Sequence, residues 1–198
     1  MRRKVAREAA NLLYFGVEKE FKQAKLEATK AIGVRIVPTN LEVAIEFDKI
    51  ADENEGTARQ ERLIQMRREA LRLMQILKMY KPLLIGSVWR GAIHRESDID
   101  IVVHHNEPDD VTSTLKQHDL KIKQMEWVTA TKEGRRKTSF HIYAEALNNE
   151  KAEIKVVSPE EASRKEKCGI YGDDVTGLRT KKLQKLLKEN PAQRFVPP

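Results

Sequence analysis

A chain of 198 residues, a third of them charged, is long enough for one domain with an appendage and can bury a core of its own. No apolar run approaches the roughly 20 residues that span a bilayer, and the N-terminus MRRKVAREAANLLYF offers neither an unbroken apolar stretch nor a cleavage site, so neither a membrane partner nor a secretory signal is expected. A single cysteine, Cys168, excludes an internal disulfide and a cysteine-based metal cluster, which places the expected protein in a reducing, cytoplasmic compartment.

The net charge of +7 is unevenly spread. Residues 1 to 58 carry ten cations and ten anions, so the whole excess falls in residues 59 to 198, where it favours a polyanion such as a nucleoside triphosphate or RNA.

Val5, Ala9, Leu12 and Leu13, then Val17, Phe21, Ala24 and Ala28, recur at helical spacing, with Glu18, Lys19, Lys22 and Lys25 on a polar side. Gly33 and Pro38 interrupt the pattern, and Asn40 stands where a cap would start a further helix. No chemistry is legible in this stretch; packing, dimerisation or presentation of an acceptor are its expected roles. An acidic link over 52–56 precedes Thr57, which with Gln60 has the form of a capping box. Leu63, Met66, Ala70, Leu73 or Met74, and Leu77 then make an apolar stripe, with Arg59, Glu61, Arg68, Glu69 and Arg72 outside it, until Pro82 stops the helix.

The strand that follows, Leu83-Leu84-Ile85, ends at Gly86-Ser87, and ten residues later a second strand reads Asp98-Ile99-Asp100-Ile101-Val102-Val103. Alternation sets Asp98 and Asp100 on one face, roughly 6.6 Å apart at about 3.3 Å of rise per residue, with Ile99, Ile101 and Val103 on the other. Two carboxylates held so close repel each other unless a hard, oxygen-liganded cation joins them. Glycine lets a ligand approach the backbone and serine adds a hydroxyl, so Gly86-Ser87 suits a phosphate.

With these residues the chain resembles the nucleotidyltransferases of the polymerase-beta-like superfamily, above all their small prokaryotic members. The signature there is an apolar residue, Gly-Ser, a spacer of about a dozen residues, and Asp-x-Asp between apolar residues. Ile85-Gly86-Ser87 and Asp98-Ile99-Asp100-Ile101 fit it, and Arg90-Gly91 matches a frequent Arg-Gly. The resemblance covers some twenty residues. It implies a catalytic domain over 59–198 with C-terminal helices, behind a helical N-terminal extension over 1–58.

Further on, His104 and His105 read as strand-end polar residues, and residues 109–119 as a helix over the sheet. A hairpin follows, from Lys121 to Leu147, whose turn carries Lys132, Arg135, Arg136 and Lys137, cations able to meet a polynucleotide backbone. Trp89 and Trp127 lack aromatic partners at stacking intervals and are expected in the core or in a cleft wall. The resemblance implies a third carboxylate on a later strand. Glu153, between apolar residues on a strand expected to close the sheet, fits better than its rival Glu145. A helix should begin after Ser158-Pro159, Asp173 and Asp174 should cap, Cys168 should be a small apolar residue, and a Lys-rich amphipathic helix should run over 178–187.

The expected fold is thus α/β (α+β): a small mixed sheet of the nucleotidyltransferase type with helices packed behind it. The expected reaction is Mg²⁺-dependent transfer of a nucleoside monophosphate from an NTP to an acceptor hydroxyl, with release of pyrophosphate. Asp98, Asp100 and Glu153 would hold two cations, Gly86 and Ser87 the outer phosphates, and Arg90 or Arg95 would neutralise the departing charge. RNA or a partner protein could supply the acceptor. The competing expectation is an inactive nucleotide- or RNA-binding module, one half of a regulatory pair.

Overall fold

The computed structural model of the chain describes residues 1–132, 135–163 and 166–197. Helix α1 (Arg2–Tyr14) buries Val5, Ala6, Ala9 and Ala10 along one side, and α2 (Phe21–Ile32) buries Ala24 and Ala28. These small side chains allow close approach to each other and to the first half of α3 (Asn40–Ile76), whose Val43, Ile50 and Ala51 complete a first hydrophobic cluster. Gly16, with φ of 72°, lies in the turn after α1, so Val17 drops out of the expected stripe and is 67 % exposed between the helices.

Thr39, rather than Asn40, caps α3. Its hydroxyl accepts from the Glu42 N–H at 3.2 Å while the Glu42 carboxylate accepts from the Thr39 N–H at 2.7 Å. The acidic link expected over 52–56 is helical; only Gly56 (φ 56°, ψ −140°) departs, and it kinks α3 between its halves. Arg59, just past the kink, is buried and pairs with Asp48 and Asp52 before it, while its Nε donates to the Ile93 carbonyl at 2.6 Å. Arg59 and Glu69, both expected on the solvated side of the helix, are therefore core residues.

The second half of α3 carries Leu63, Met66, Ala70, Leu73, Met74 and, just beyond its end, Leu77 into a second and larger cluster, against a sheet. Among the described residues six strands form this sheet: β1 (Leu83–Ile85), β2 (Ile99–His104), β3 (Lys121–Lys132), β4 (Arg135–Glu145), β5 (Lys151–Val157) and β6 (Leu178–Arg179). Their order is β3-β4-β5-β2-β1-β6, with β2 and β5 parallel and the other ladders antiparallel. The sheet is mixed and its helices lie behind it, as the sequence leads one to expect. The strand bearing Glu153 is internal, however, and β3 and β6 are the edges.

A five-residue helix, α4 (Gly86–Arg90), follows β1 directly. Helix α5 (Pro108–Gln117) opens with proline and carries Asp109 and Asp110 in its first turn, where free N–H groups favour acids. Helix α6 (Thr180–Glu189) buries Leu183 and Leu186 and leaves its lysines outside. After Ser158 there is a short 3₁₀ turn, Pro159–Ser163, in place of the expected helix. Trp89 is buried, but Trp127 is 62 % exposed on the outer hairpin, edge-on to Phe140, because the hairpin extends past the helices that cover the rest of the sheet. The tip of that hairpin, Glu133-Gly134, lies outside the described residues, as do the side chains of Lys132 and Arg135; Lys137 is paired with Glu161 and Glu166. No described helix is long and apolar enough to cross a membrane.

Candidate functional site

Parallel pairing sets Asp100 of β2 opposite Glu153 of β5. Because residues alternate, both carboxylates stand on the face away from the buried Ile99, Ile101, Ile154 and Val156. Asp98, one residue before β2, joins them, and one oxygen from each of the three lies within 4.8 Å of the others. The three acids named from the sequence are thereby brought together, and among the described residues no other group of this kind forms. Glu145, the rival, is not part of it. Its carboxylate pairs with Lys123 and Lys121, and it stands opposite Lys151, two positions along from the Tyr143 that faces Glu153.

An all-oxygen set of three acids suits a hard divalent cation such as Mg²⁺. Left to themselves the acids repel. Burial pushes the Asp100 carboxyl up to about 8, with the charges of Asp98 and Glu153 adding to the effect, and burial likewise raises Asp98. Glu153 is held from its far side by Nδ1 of His141, whose Nε2 meets the Ser139 hydroxyl at 2.8 Å. Tyr143 is pushed up to about 12 by burial and by the Glu153 charge, so it stays a neutral phenol beside the acids.

Helix α3 sets the spacing of the acid-bearing strands. Arg62 donates to the carbonyls of His94 (2.9 Å) and Ser97 (3.2 Å), in the loop before Asp98, and pairs with Glu150 (2.8 Å), in the turn before β5. One guanidinium thus ties together the entrances to β2 and β5. Arg67, fully buried five residues further along α3, donates to the carbonyls of Val88, Trp89, Pro191 and Gln193 and so fixes α4 to the C-terminal segment. Burial lowers Arg67 to about 10, which leaves it charged at neutral pH.

Gly86 adopts φ of 70°, and a β-carbon on it would overlap Oδ2 of Asp100 and lie 2.8 Å from its Cγ. The residue must be glycine on both counts. On its other flank a cavity of about 670 Å³ opens, lined by Gly86, Ser87, Arg90 and Arg95 and walled by residues of α1, α3 and the 168–171 loop. The three acids do not line it; it meets them through Gly86. A smaller cavity of about 430 Å³ lies at the kink of α3, between Gly56, Arg59 and Arg194, away from the acids.

The two candidate arginines are placed differently. Arg90 is buried, with its guanidinium bonded to both oxygens of Asp173 (2.7 and 3.1 Å) and to the Phe195 carbonyl, and layered 4.4 Å from the rings of Trp89 and Tyr171. Asp173 is therefore a counter-ion where the sequence led one to expect a cap. Arg95 reaches across the cavity to the Tyr14 carbonyl (3.1 Å), its guanidinium 5.0 Å from the Tyr14 ring. His104 ends β2 on the acid face, with a buried Nδ1 that has no partner, and His105 pairs with Asp110.

Pattern reading missed Arg59, Arg62 and Arg67. The signal was there for Arg67: it lies four residues after Leu63 and three before Ala70, inside the apolar stripe, where a cation needs partners.

A family model described as a domain of unknown function (DUF4269) matches residues 67–158. The matched stretch, just under half of the chain, holds Gly86, Ser87, Asp98, Asp100 and Glu153 and omits α1, α2 and the first half of α3. No curated protein and no solved structure matches the chain.

Proposed function

We propose that the protein is a nucleotidyltransferase, moving a nucleoside monophosphate from an NTP to an acceptor hydroxyl. The observation that carries this reading is the register of β2 and β5: it sets Asp100 against Glu153, beside Asp98, and Asp100 in turn against a glycine that tolerates no side chain. Structural acids do not need that arrangement, since three carboxylates under partial burial oppose folding unless a cation neutralises them.

In this reading Asp98, Asp100 and Glu153 hold Mg²⁺, which supplies charge neutralisation for the triphosphate and for the entering and leaving oxygens. Gly86 and Ser87 receive the outer phosphates, the glycine by permitting close backbone approach and the serine by its hydroxyl. The acceptor oxygen attacks the α-phosphorus, the bond from that phosphorus to the bridging oxygen breaks, pyrophosphate departs with the electron pair, and the acceptor's proton is lost to the acid cluster. Arg95 is the better placed of the two arginines to neutralise departing charge, since the Arg90 guanidinium is already engaged by Asp173.

The decisive experiment offers each of four α-labelled triphosphates, with Mg²⁺, to RNA, protein and small-metabolite fractions. One fraction should gain label, and pyrophosphate should appear in equal amount. Asp98→Asn and Asp100→Asn should each abolish both while the protein stays folded. Binding of triphosphates with no label transferred to any fraction would instead favour the inactive binding module.

A further inference from the structure

The N-terminal helices are more than packing. The cavity beside Gly86 draws five of its lining residues, Tyr14, Phe15, Phe21, Phe47 and Tyr171, from a chain with only five phenylalanines, four tyrosines and two tryptophans. All five lie outside the 67–158 stretch that holds the acids, and four of them come from α1, α2 and the first half of α3 or the residues at their ends. Tyr14 meets Phe15 edge-on at 5.1 Å and Phe47 at 5.8 Å, and Phe47 meets the His94 ring at 5.0 Å, so the wall is a continuous run of rings. Phe15 lines the cavity while keeping 54 % of its surface exposed, so its ring is open to a ligand.

The cavity is therefore chemically divided. One end is Gly86-Ser87, with the acid group behind it; the body is aromatic, with Arg95 laid over Tyr14 at 5.0 Å and over Phe15 at 5.8 Å. Its volume of about 670 Å³ falls within the ~300–1,000 Å³ of ligand pockets. A purely apolar ligand fits poorly, because Glu18, Lys19, Asp48 and Glu96 also border the space. A flat heteroaromatic ring with polar edges, joined to an anionic tail, matches both ends.

We infer that this cavity receives the base of the nucleotide, gripped by Phe15, Tyr14 and Phe47, so that the N-terminal helices form part of the substrate site. The inference rests on the nucleotidyl-transfer reading for the placement of the phosphates. Stacking of a base on an aromatic side chain is sequence-tolerant and strong enough for its loss to be measured directly.

The test compares Mg²⁺-tripolyphosphate, which has phosphates and no base, with each of the four nucleoside triphosphates, by calorimetric titration of the 198-residue chain. At least one nucleoside triphosphate should bind about tenfold or more tightly than tripolyphosphate. Phe15→Ala should cut that nucleotide's affinity about tenfold and leave tripolyphosphate unchanged, and Phe15→Trp should restore it. Since Phe15 is more than half exposed, a thermal melt should show Phe15→Ala folded. Equal affinity for tripolyphosphate and all four nucleotides, or a Phe15→Ala protein that binds nucleotide undiminished, would overturn the assignment of the cavity while leaving the phosphate and cation site intact. Failure of tripolyphosphate and nucleotides alike would overturn the nucleotidyl-transfer reading, and this inference with it.

Discussion

The Asp100 carboxylate occupies the space that a side chain on Gly86 would need. The two residues also face each other's neighbours across the β1–β2 ladder, where Ile85 pairs with Asp100. Gly86→Ala should therefore act twice, straining a backbone at φ of 70° by about 1–2 kcal/mol and pushing Asp100 out of the acid group. Affinity for Mg²⁺ or Mn²⁺ should fall at least tenfold. Gly33→Ala is the control: φ there is 72°, with open space around it, so it should lose about 1–2 kcal/mol in urea melts and no cation affinity.

Cation and pH should act on stability together. In metal-free protein Asp100 is held up at about 8 against an ordinary 3.8, so the folded state keeps a proton that the unfolded chain has released. That contribution is fully present below about pH 4 and is lost as pH rises toward 8 and beyond. The raised Asp98 adds in the same sense. Melting in chelator should show the acid group lowering stability between pH 5 and 8, Mg²⁺ should restore it most at the alkaline end, and Asp100→Asn should remove both effects. A wild-type protein whose melting is indifferent to Mg²⁺ at pH 8 would contradict the site.

Glu153 and Glu145 make a matched pair. Glu153→Gln should weaken Mn²⁺ binding about tenfold or more, because it removes one of three carboxylates whose oxygens lie within 4.8 Å of one another. Glu145→Gln should leave Mn²⁺ binding within twofold, since it loses only exposed pairs with Lys121 and Lys123. Paramagnetic titration of the two variants side by side reads this difference.

Arg67→Met should be among the most destabilising single changes available, by about 3–5 kcal/mol. Four carbonyls would lose their donor, and for the two buried ones, of Val88 and Trp89, the penalty is roughly 1–3 kcal/mol each before relaxation. Arg62→Met, at a partly exposed site, should lower stability less, by about 1–2 kcal/mol, yet should weaken cation binding because the loop before Asp98 and the turn before β5 come apart. Urea unfolding and cation titration together separate the two roles.

What was legible in the sequence is what short-range geometry encodes. Asp98 and Asp100 had to share a face because a strand repeats every two residues, whereas Glu153 was preferred to Glu145 through the third carboxylate that the resemblance implies and a strand expected to close the sheet, which is in fact internal. The hairpin and the C-terminal amphipathic helix followed from the same periodicities, while the mixed sheet came with the resemblance. The long-range partners had no such mark: Asp173 finds Arg90 across 83 residues, and Glu150 finds Arg62 across 88. Nor could periodicity separate an aromatic residue that fills a core from one that walls a cavity, so Tyr14, Phe15 and Phe47 carried no sign of facing Gly86. The break at Gly56 was misplaced into a loop because a run of acids reads as solvated, whereas Asp52 and Asp48 are acids waiting for Arg59.

The kink at Gly56 separates the arm of α3 that walls the cleft from the half that packs on the sheet. The arm of α3 from Asn40 to Gly56 is a lever about 24 Å long at 1.5 Å per residue, and a swing of roughly 10° about the glycine would carry its far end some 4 Å. Arg59 acts as a splint across the fulcrum: buried itself, it bonds Asp48 and the half-exposed Asp52 on one side and the Ile93 carbonyl on the other. Arg194 clasps the same two acids from the C-terminal segment, so the joint is held by two guanidiniums, and neutralising either acid would slacken both clasps at once.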